Sequence, residues 1–219
     1  MATPLVIDYY TDVLCIWAWI AQRRIEELEK QWPGEIELKY HYVDIFGNVP
    51  EKMANQWQAR GGYDGFAQHV QHSAADYENA PVHSELWQQV RPATSANAHL
   101  FLKAIELQCG CHIAAEMALC VRKAFFIENR DIGQLETLYV LAAEHQLDVD
   151  AIQQSVVNGT AMAALMSDYQ KARQQGIKGS PSYVMDGGRQ VLYGNVGYRV
   201  LSANVEELLK NPQDEASWC

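Results

Sequence analysis

The spacing of apolar and polar positions predicts a strand, a helix and a second strand in the first 42 residues. Residues 5–10 form a mostly apolar run, which is typical of a buried strand. Apolar residues then recur every three or four positions, which predicts one buried helix face. The residues of this face are Ala18, Ala21, Ile25, Leu28 and Trp32. Residues 35–42 alternate between polar and apolar, which indicates a half-buried strand parallel to the first, joined to it by a right-handed crossover.

The rest of the chain is predicted to be a long helical region followed by a hairpin and a final helix. After a loop at 44–50, residues 51–175 have helical periodicity, with breaks at 60–62, at 79–81, at Gly110 and near Gly133. Two short strands flank an Asp-Gly-Gly turn at 186–188, which fits a tight hairpin. Four residues form the inner face of the closing helix, namely Tyr198, Leu201, Val205 and Leu208. The fold class is therefore α/β.

Composition and charge narrow the choice of partners and compartment. The chain has 219 residues, 48% of them hydrophobic, and a formal charge of -10, which repels phosphate backbones and anionic membrane surfaces. We therefore expect neither nucleic acid nor a membrane as a partner. No export signal is recognisable at the start, and five cysteines without a regular spacing are typical of a reducing compartment. The sequence thus predicts a cytoplasmic protein without structural disulfides.

Cys15 is the candidate nucleophile because it precedes the first predicted helix. Free backbone N–H groups and the helix dipole favour a thiolate at this position, where a cysteine pKa of about 8.5 can fall to about 3.5–7.5. A buried Cys15 that only packs is an equally good interpretation of these residues alone. Position 18 is Ala18, so the site has a single thiol. Asp12 is expected either to raise the thiol pKa or to cap the helix.

The segment Gly176-Ile-Lys-Gly-Ser-Pro-Ser-Tyr-Val-Met, together with the cysteine-headed helix, resembles the DsbA-like branch of the thioredoxin superfamily. Within this branch the chain is similar to the cytoplasmic members near 2-hydroxychromene-2-carboxylate isomerases and kappa-class glutathione transferases. The resemblance implies a thioredoxin-like fold in two parts, residues 1–50 and 176–210, with a helical insertion at 51–175. Residues 211–219 are mostly polar and are expected to form a mobile tail.

The resemblance also implies the residues that surround Cys15. Pro181 is expected to be a cis-proline facing the sulfur, so that Gly179, Ser180 and Pro181 bind glutathione or an extended peptide. Residues next to the sulfur, here Trp17 and Ala18, shape its surroundings in the family. Relatives that bind glutathione use a polar residue after the second strand, for which Asn48 and Lys52 are the candidates here. Redox members have a second cysteine at the position of Ala18, whereas transferases and isomerases usually have serine at the position of Cys15.

The remaining cysteines and several histidines are mostly interpreted as structural rather than functional residues. Cys109, Cys111, His112 and Cys120 lack zinc-site spacing, so packing is favoured over metal binding. Cys109 or Cys111, and also Cys219, remain candidates for resolving a mixed disulfide on Cys15, provided that the α-carbons lie within about 7 Å. The histidines at 69, 72 and 83 are expected to be solvated or to cap helices.

The first functional hypothesis is therefore a DsbA-like thiol-disulfide oxidoreductase in which Cys15 attacks a disulfide and glutathione serves as the second thiol. Its partners are a small-molecule thiol or a protein disulfide, with no tightly bound cofactor and no metal. The second hypothesis is a glutathione-dependent transferase or isomerase. The third is a redox-inactive binding module, motivated by Ala18. A homodimer is left open by the resemblance to glutathione-using relatives.

Overall fold

The computed structural model describes residues 3–211, so that Cys219 and the predicted polar tail beyond Asn211 lie outside the described residues. The strands are β1 Leu5–Thr11, β2 Ile36–Tyr42, β3 Ser182–Met185 and β4 Gln190–Tyr193. The α-helices are α1 Ile16–Gln31, α2 Val49–Lys52, α3 Gly62–Ala74, α4 Ala96–Cys109, α5 Cys111–Phe126, α6 Leu135–Glu144, α7 Val149–Val157, α8 Thr160–Gln174 and α9 Tyr198–Lys210. The loop predicted at 44–50 ends earlier, because the side chain of Asn48 caps α2. Across residues 3–211, no helix combines the length and the apolarity needed to span a bilayer.

The four strands form one mixed sheet in the order β2-β1-β3-β4. β1 pairs with β2 in parallel, as predicted, and with β3 in antiparallel orientation. β3 and β4 form the predicted hairpin, whose turn contains Gly187 with a φ of 64°, a left-handed conformation that glycine adopts at no steric cost. Because β1 lies inside the sheet, the loop that follows it starts from a rigid strand.

The side chains of β1 alternate between two buried layers of helices. Tyr9 lies in one cluster with Ile25 of α1 and Leu201 of α9. Tyr10 faces the other side of the sheet, where it clusters with Ala172 of α8. The sheet is therefore covered on both faces, and α1 extends from the carboxyl edge of β1 along one of them.

A cluster of charged side chains joins α8 and α4 to the sheet. The two ring nitrogens of His41 lie 2.7 Å from Asp8 Oδ1 and 2.9 Å from Asp168 Oδ1. Lys171 Nζ donates to Asp8 Oδ1 over 2.8 Å, and Lys103 Nζ lies 2.8 Å from Asp168 Oδ2. Burial by itself would lower the pKa of His41, but its two carboxylate partners raise it. This cluster fixes the position of α8, which leads directly into the loop before β3.

The helices α2 to α8 occupy the sequence between β2 and β3. The core between these helices includes Phe101, Leu102 and Ile105 of α4, which are fully buried. The division of the chain into domains at residues 50, 175 and 210 stays a prediction.

Residues 75–95 depart from the sequence-based prediction of a nearly continuous helical region. Only turns and an isolated bridge are present there, although the sequence predicted a break at 79–81 alone. Trp87 is fully buried and has a φ of 67°. Its ring lies 5.0 Å from that of Phe66 and 5.3 Å from that of Phe125. Burial of this large indole in the core stabilises an irregular backbone course that local propensity does not reveal.

Candidate functional site

Cys15 lies at the point where the loop after β1 becomes α1. It is the N-cap residue, with φ of -79° and ψ of 118°, and its carbonyl accepts the N–H groups of Ala18 and Trp19 at 3.1 Å. Its own N–H donates to the carbonyl of Asp12 over 3.1 Å, which closes a turn. The side chain does not cap the helix, so its sulfur remains available to other groups.

The loop before β3 lies directly against this sulfur. The thiol of Cys15 donates to the carbonyl oxygen of Ser180 over 3.1 Å, and the N–H of Asp12 donates to Ser180 Oγ over 2.8 Å. The Ser180–Pro181 peptide bond is cis. Ser182 Oγ donates to the carbonyl of Gly179 over 2.9 Å, which holds the loop at the start of β3. Residues 165 positions apart thus form one site.

Burial dominates the electrostatics of the thiol. Cys15 is only 6% exposed, and this burial raises the pKa of its thiol above the ordinary value. The backbone N–H groups of Ala18 and Trp17 act in the opposite direction, while the charge of Asp12 adds to the increase. The sequence-based expectation of a lowered pKa is therefore wrong in direction, because desolvation outweighs the helix N-terminus.

Asp12 organises the loop rather than capping α1. Its carboxylate accepts the N–H of Leu14 at 2.9 Å, the N–H of Phe46 at 2.8 Å and the hydroxyl of Ser95 at 2.9 Å. Burial raises the pKa of Asp12 to about 6. Asp12 therefore ties the cysteine loop to the loop after β2 and to the start of α4, and at neutral pH it brings a negative charge near the sulfur.

A second buried group near the loop was not anticipated from the sequence. The N–H of Val13 donates to His99 Nε2 over 3.2 Å, and this nitrogen lies 3.7 Å from Asp12 Oδ1. Burial lowers the pKa of His99 to about 3, so the ring is neutral. Only contact in three dimensions identifies His99, since it follows Cys15 by more than 80 residues.

A cavity of about 570 Å³ opens beside the sulfur. Two of its lining residues are cationic, Lys52 and Arg60, and four are large aromatic residues. Its aromatic residues are Trp17, Phe46, Trp57 and Phe66. Gly179 and Ser180 complete the wall next to Cys15. A small molecule in this cavity would therefore meet the thiol, two positive charges and several ring faces.

The family assignment follows from the sequence as a whole. The profile of the DSBA-like thioredoxin domain family matches residues 6–206. The chain belongs to this family. The predicted DsbA-like branch and the thioredoxin-like α/β fold with a helical insertion are thereby confirmed.

Among curated proteins, this DSBA-like domain is similar to the ClpXP adapter protein SpxH of Bacillus licheniformis. The two are 26% identical over 117 residues, which are 51% of this chain and 39% of SpxH. The chain thus matches about two fifths of the length of that relative.

Solved structures share the DSBA-like fold over nearly the whole chain. A Nitrosomonas europaea protein, provisionally assigned as a protein disulfide isomerase, has a TM-score of 0.77 at 18% identity, covering 96% of this chain and 100% of that one. The cytosolic disulfide reductase DsbM of Pseudomonas aeruginosa has a TM-score of 0.69 at 19% identity, covering 92% and 99%. Its structure with GSH has a TM-score of 0.67 at 17% identity, covering 95% and 98%. A 2-hydroxychromene-2-carboxylate isomerase has a TM-score of 0.68 at 18% identity, covering 97% and 100%.

Within this DSBA-like domain, the segment from α2 to Arg60 contributes cavity residues that the sequence analysis largely missed. Lys52 lies in the cavity, in agreement with its selection as a candidate, whereas Asn48 instead caps α2. Gln56, Trp57 and Arg60 were not singled out. A signal was present, because spacings of four residues from Lys52 to Gln56 and on to Arg60 place all three on one helix face.

The two tryptophans after the cysteine have different surroundings. Trp17 lines the cavity, while Trp19 is buried, stacks on Phe126 at 5.6 Å and donates its indole N–H to the carbonyl of Pro81 over 3.1 Å. His69 also lines the cavity, where it is half-buried, and this burial lowers its pKa.

The cysteines proposed as resolving thiols do not approach Cys15 in the described DSBA-like domain. Cys109 and Cys111 are exposed where α4 meets α5. Ser95, which binds Asp12, precedes α4, so Cys109 lies roughly 20 Å away at a rise of about 1.5 Å per residue. This exceeds the reach of a disulfide. In residues 3–211, no group of three or more histidines, cysteines, aspartates or glutamates has the arrangement of a metal site.

Proposed function

We propose that this protein is a thiol-disulfide oxidoreductase that acts through Cys15, with glutathione as the second thiol. The observation that carries the proposal is the placement of the Cys15 sulfur, at the N-cap of α1, against the Ser180 carbonyl and beside an open cavity. A disulfide in the cavity can approach this sulfur directly. Its partner sulfur then leaves toward solvent.

The proposed reaction has two exchange steps. The Cys15 thiolate attacks one sulfur of the substrate, so that an S–S bond forms to Cys15 while the original S–S bond breaks and releases a thiolate. Since position 18 is Ala18, the motif contains no second thiol to displace the bound group. A glutathione thiolate therefore attacks the mixed disulfide, regenerates the Cys15 thiolate and leaves as a disulfide with the substrate sulfur.

Neighbouring residues receive roles in this proposal. Trp17, Gly179 and Ser180, which line the cavity, contact the bound disulfide, whereas Ala18 and Pro181 are buried and do not line it. Lys52 supplies positive charge near the sulfur, since its charge interacts with those of Asp12 and Cys15. Support for glutathione comes from the fold shared with DsbM, whose structure was determined with GSH. The cytoplasm is the proposed compartment, because glutathione is abundant there and keeps thiols reduced.

The test is reduction of 2-hydroxyethyl disulfide by glutathione, measured as NADPH oxidation through glutathione reductase. We expect Cys15→Ser to reduce the rate to that of the uncatalysed reaction. Cys109→Ser is the matched control, because it removes an exposed thiol far from the cavity and should retain the full rate. Intact mass after exposure to oxidised glutathione should show one adduct, mapped to Cys15. Full activity in Cys15→Ser would exclude the proposed mechanism.

A glutathione-dependent transferase or isomerase is the second candidate. The raised pKa of the Cys15 thiol favours it, because a buried neutral thiol can hydrogen-bond to a glutathione sulfur without forming a covalent bond. The fold shared with a 2-hydroxychromene-2-carboxylate isomerase is compatible with this chemistry. Conjugation or isomerisation that survives in Cys15→Ser would favour this candidate over disulfide exchange.

A redox-inactive binding module is the third candidate. Ala18 motivates it, and the similarity to SpxH, described as a ClpXP adapter, supports it for about half of this chain. Turnover of any small disulfide that depends on Cys15 would exclude it.

A further inference from the structure

We infer that the cavity beside Cys15 selects small disulfides that carry an anionic group on a planar aromatic body. This inference rests on the proposed function and names its substrate class. It depends on three features of the described residues, namely two cations without carboxylate partners, a set of aromatic faces and the spacing of these groups along one helical segment.

The charge of the cavity is opposite to that of the protein. The chain has a formal charge of -10, yet Lys52 and Arg60 line the cavity, and within residues 3–211 neither forms an ion pair with a carboxylate. Lys52 is half-buried, and its Nζ donates to Gln56 Oε1 over 3.2 Å. The Lys52 ammonium is partly desolvated, donates a hydrogen bond to a neutral amide and interacts with Asp12 without forming an ion pair, so it retains the capacity to bind an anion.

The aromatic residues provide surfaces for a flat apolar group. Lys52 Nζ lies 4.9 Å from the centre of the Phe46 ring, and the guanidinium of Arg60 lies 5.4 Å from that of Trp57. Each cation is therefore held near a ring, so that a planar ligand can contact the ring while its anionic substituent meets the cation. Trp17, two residues after Cys15, lines the same cavity.

The segment from α2 to Arg60 places these groups at useful positions. α2 continues through a π-helical stretch at Met53–Trp57 into a 3-10 turn at Gln58–Arg60. Eight residues separate Lys52 from Arg60, which is roughly 12 Å along a helix. Lys52 is the inner cation, near Asp12 and Cys15, and Arg60 is exposed at the mouth. A cavity of about 570 Å³ with this lining has the size of a small-molecule site.

The exchange step for such a substrate follows the proposed mechanism. The Cys15 thiolate attacks one sulfur of an aryl disulfide, the aryl group becomes attached to Cys15 by a new S–S bond, and the second aryl thiolate leaves with its electron pair. A glutathione thiolate then attacks the aryl sulfur of this mixed disulfide, which regenerates the Cys15 thiolate and releases a glutathione–aryl disulfide. A second glutathione thiolate attacks the glutathione sulfur of that disulfide in solution, so that oxidised glutathione forms and the remaining aryl thiolate leaves. Electrons therefore pass from two glutathione molecules to one aryl disulfide.

The experiment compares two aromatic disulfides on the full chain. The anionic probe is 5,5′-dithiobis(2-nitrobenzoate), and the neutral probe is 4,4′-dithiodipyridine. The measured quantity is the ratio of their second-order rate constants with Cys15, each taken as the difference from Cys15→Ser because Cys109 and Cys111 are exposed, divided by the same ratio for the neutral thiol N-acetylcysteine amide. Because this quotient cancels the thiolate fraction and the intrinsic reactivity of each probe, it reports recognition of the anion.

We expect the quotient to exceed one in the wild type. It should fall about tenfold in Lys52→Gln and about threefold in the more exposed Arg60→Gln, as expected for charged hydrogen bonds in half-buried and exposed positions. Lys30→Gln removes the same charge at the far end of α1 and should leave the quotient unchanged. A wild-type quotient of one, or equal quotients in Lys52→Gln and Lys30→Gln, would overturn the inference.

A binding measurement separates this inference from the proposed function. The S-methyl thioether of 5-thio-2-nitrobenzoate cannot exchange, and its binding to Cys15→Ser can be followed by calorimetry beside that of its methyl ester. Binding of the acid that weakens in Cys15→Ser/Lys52→Gln supports the inference even where Cys15 shows no turnover. Equal binding of acid and ester would overturn it even where Cys15 is an active oxidoreductase.

Discussion

Substitution of Asp12 by asparagine should increase the reactivity of Cys15 at neutral pH. Asp12 is fully buried and its pKa is about 6, while burial raises the pKa of the Cys15 thiol above its ordinary value. Asp12 is therefore negatively charged throughout the titration of the thiol. Its charge opposes formation of the thiolate, so removal of the charge must lower the thiol pKa.

The expected size of this effect follows from the separation of the two groups. The Cys15 N–H donates to the Asp12 carbonyl over 3.1 Å, which closes a turn and brings the α-carbons of the two residues to within about 7 Å of each other. At an effective dielectric constant of about 20, two unit charges at this distance interact by about 2 kcal/mol, which corresponds to a pKa change of between one and two units. Alkylation of Cys15 at pH 7 should therefore accelerate by about ten- to fiftyfold.

The assay is alkylation by iodoacetamide between pH 6 and pH 11, with the Cys15 peptide quantified by mass spectrometry. The midpoint of the pH-rate profile gives the thiol pKa. Asp44→Asn is the matched control, because it removes a charge from an exposed position in the loop after β2, where water screens it. Far-UV circular dichroism and thermal unfolding verify the fold, since asparagine cannot accept all three hydrogen bonds that Asp12 accepts. An unchanged or raised midpoint in folded Asp12→Asn would refute the reasoning.

Two further substitutions test a close backbone contact near the cavity and the charged cluster around His41. A Cβ on Gly65 would lie 1.8 Å from the Arg60 carbonyl oxygen, so Gly65→Ala should lower the free energy of unfolding, measured by urea denaturation, by more than about 2 kcal/mol. The control is Gly197→Ala, which places its Cβ in open space and should change this free energy by less than about 1 kcal/mol. Equal effects of the two substitutions would contradict the close contact at Gly65. The raised pKa of His41 means that the stability it supplies is complete below pH 6.5 and is lost as the pH rises through its folded value. In urea denaturation, His41→Gln should therefore lose less stability between pH 6.5 and pH 8.5 than the wild type loses. An identical loss in both proteins would show that groups other than His41 cause the pH dependence.

The order of elements was largely predictable from local patterns. Period-two alternation identified β2, apolar spacing of three and four identified α1 and α9, and the turn at 186–188 identified the hairpin, because each signal involves residues close in sequence. The segment 75–95 was not predictable in this way. Its course depends on burial of Trp87 against Phe66 and Phe125, which lie on two other helices.

The sequence by itself determined the single thiol at a helix start, the absence of a second cysteine at Ala18 and, through the family motif, the neighbourhood of Pro181. Tertiary structure alone decided in which direction the pKa of that thiol is shifted. Helix position favours ionisation and can be inferred from a few neighbouring residues, but burial depends on every element packed around the sulfur. Here burial is the larger effect and reverses the direction of the pKa change. The cavity was likewise not predictable from local sequence, because its cationic and aromatic residues come from segments that meet only in the folded chain.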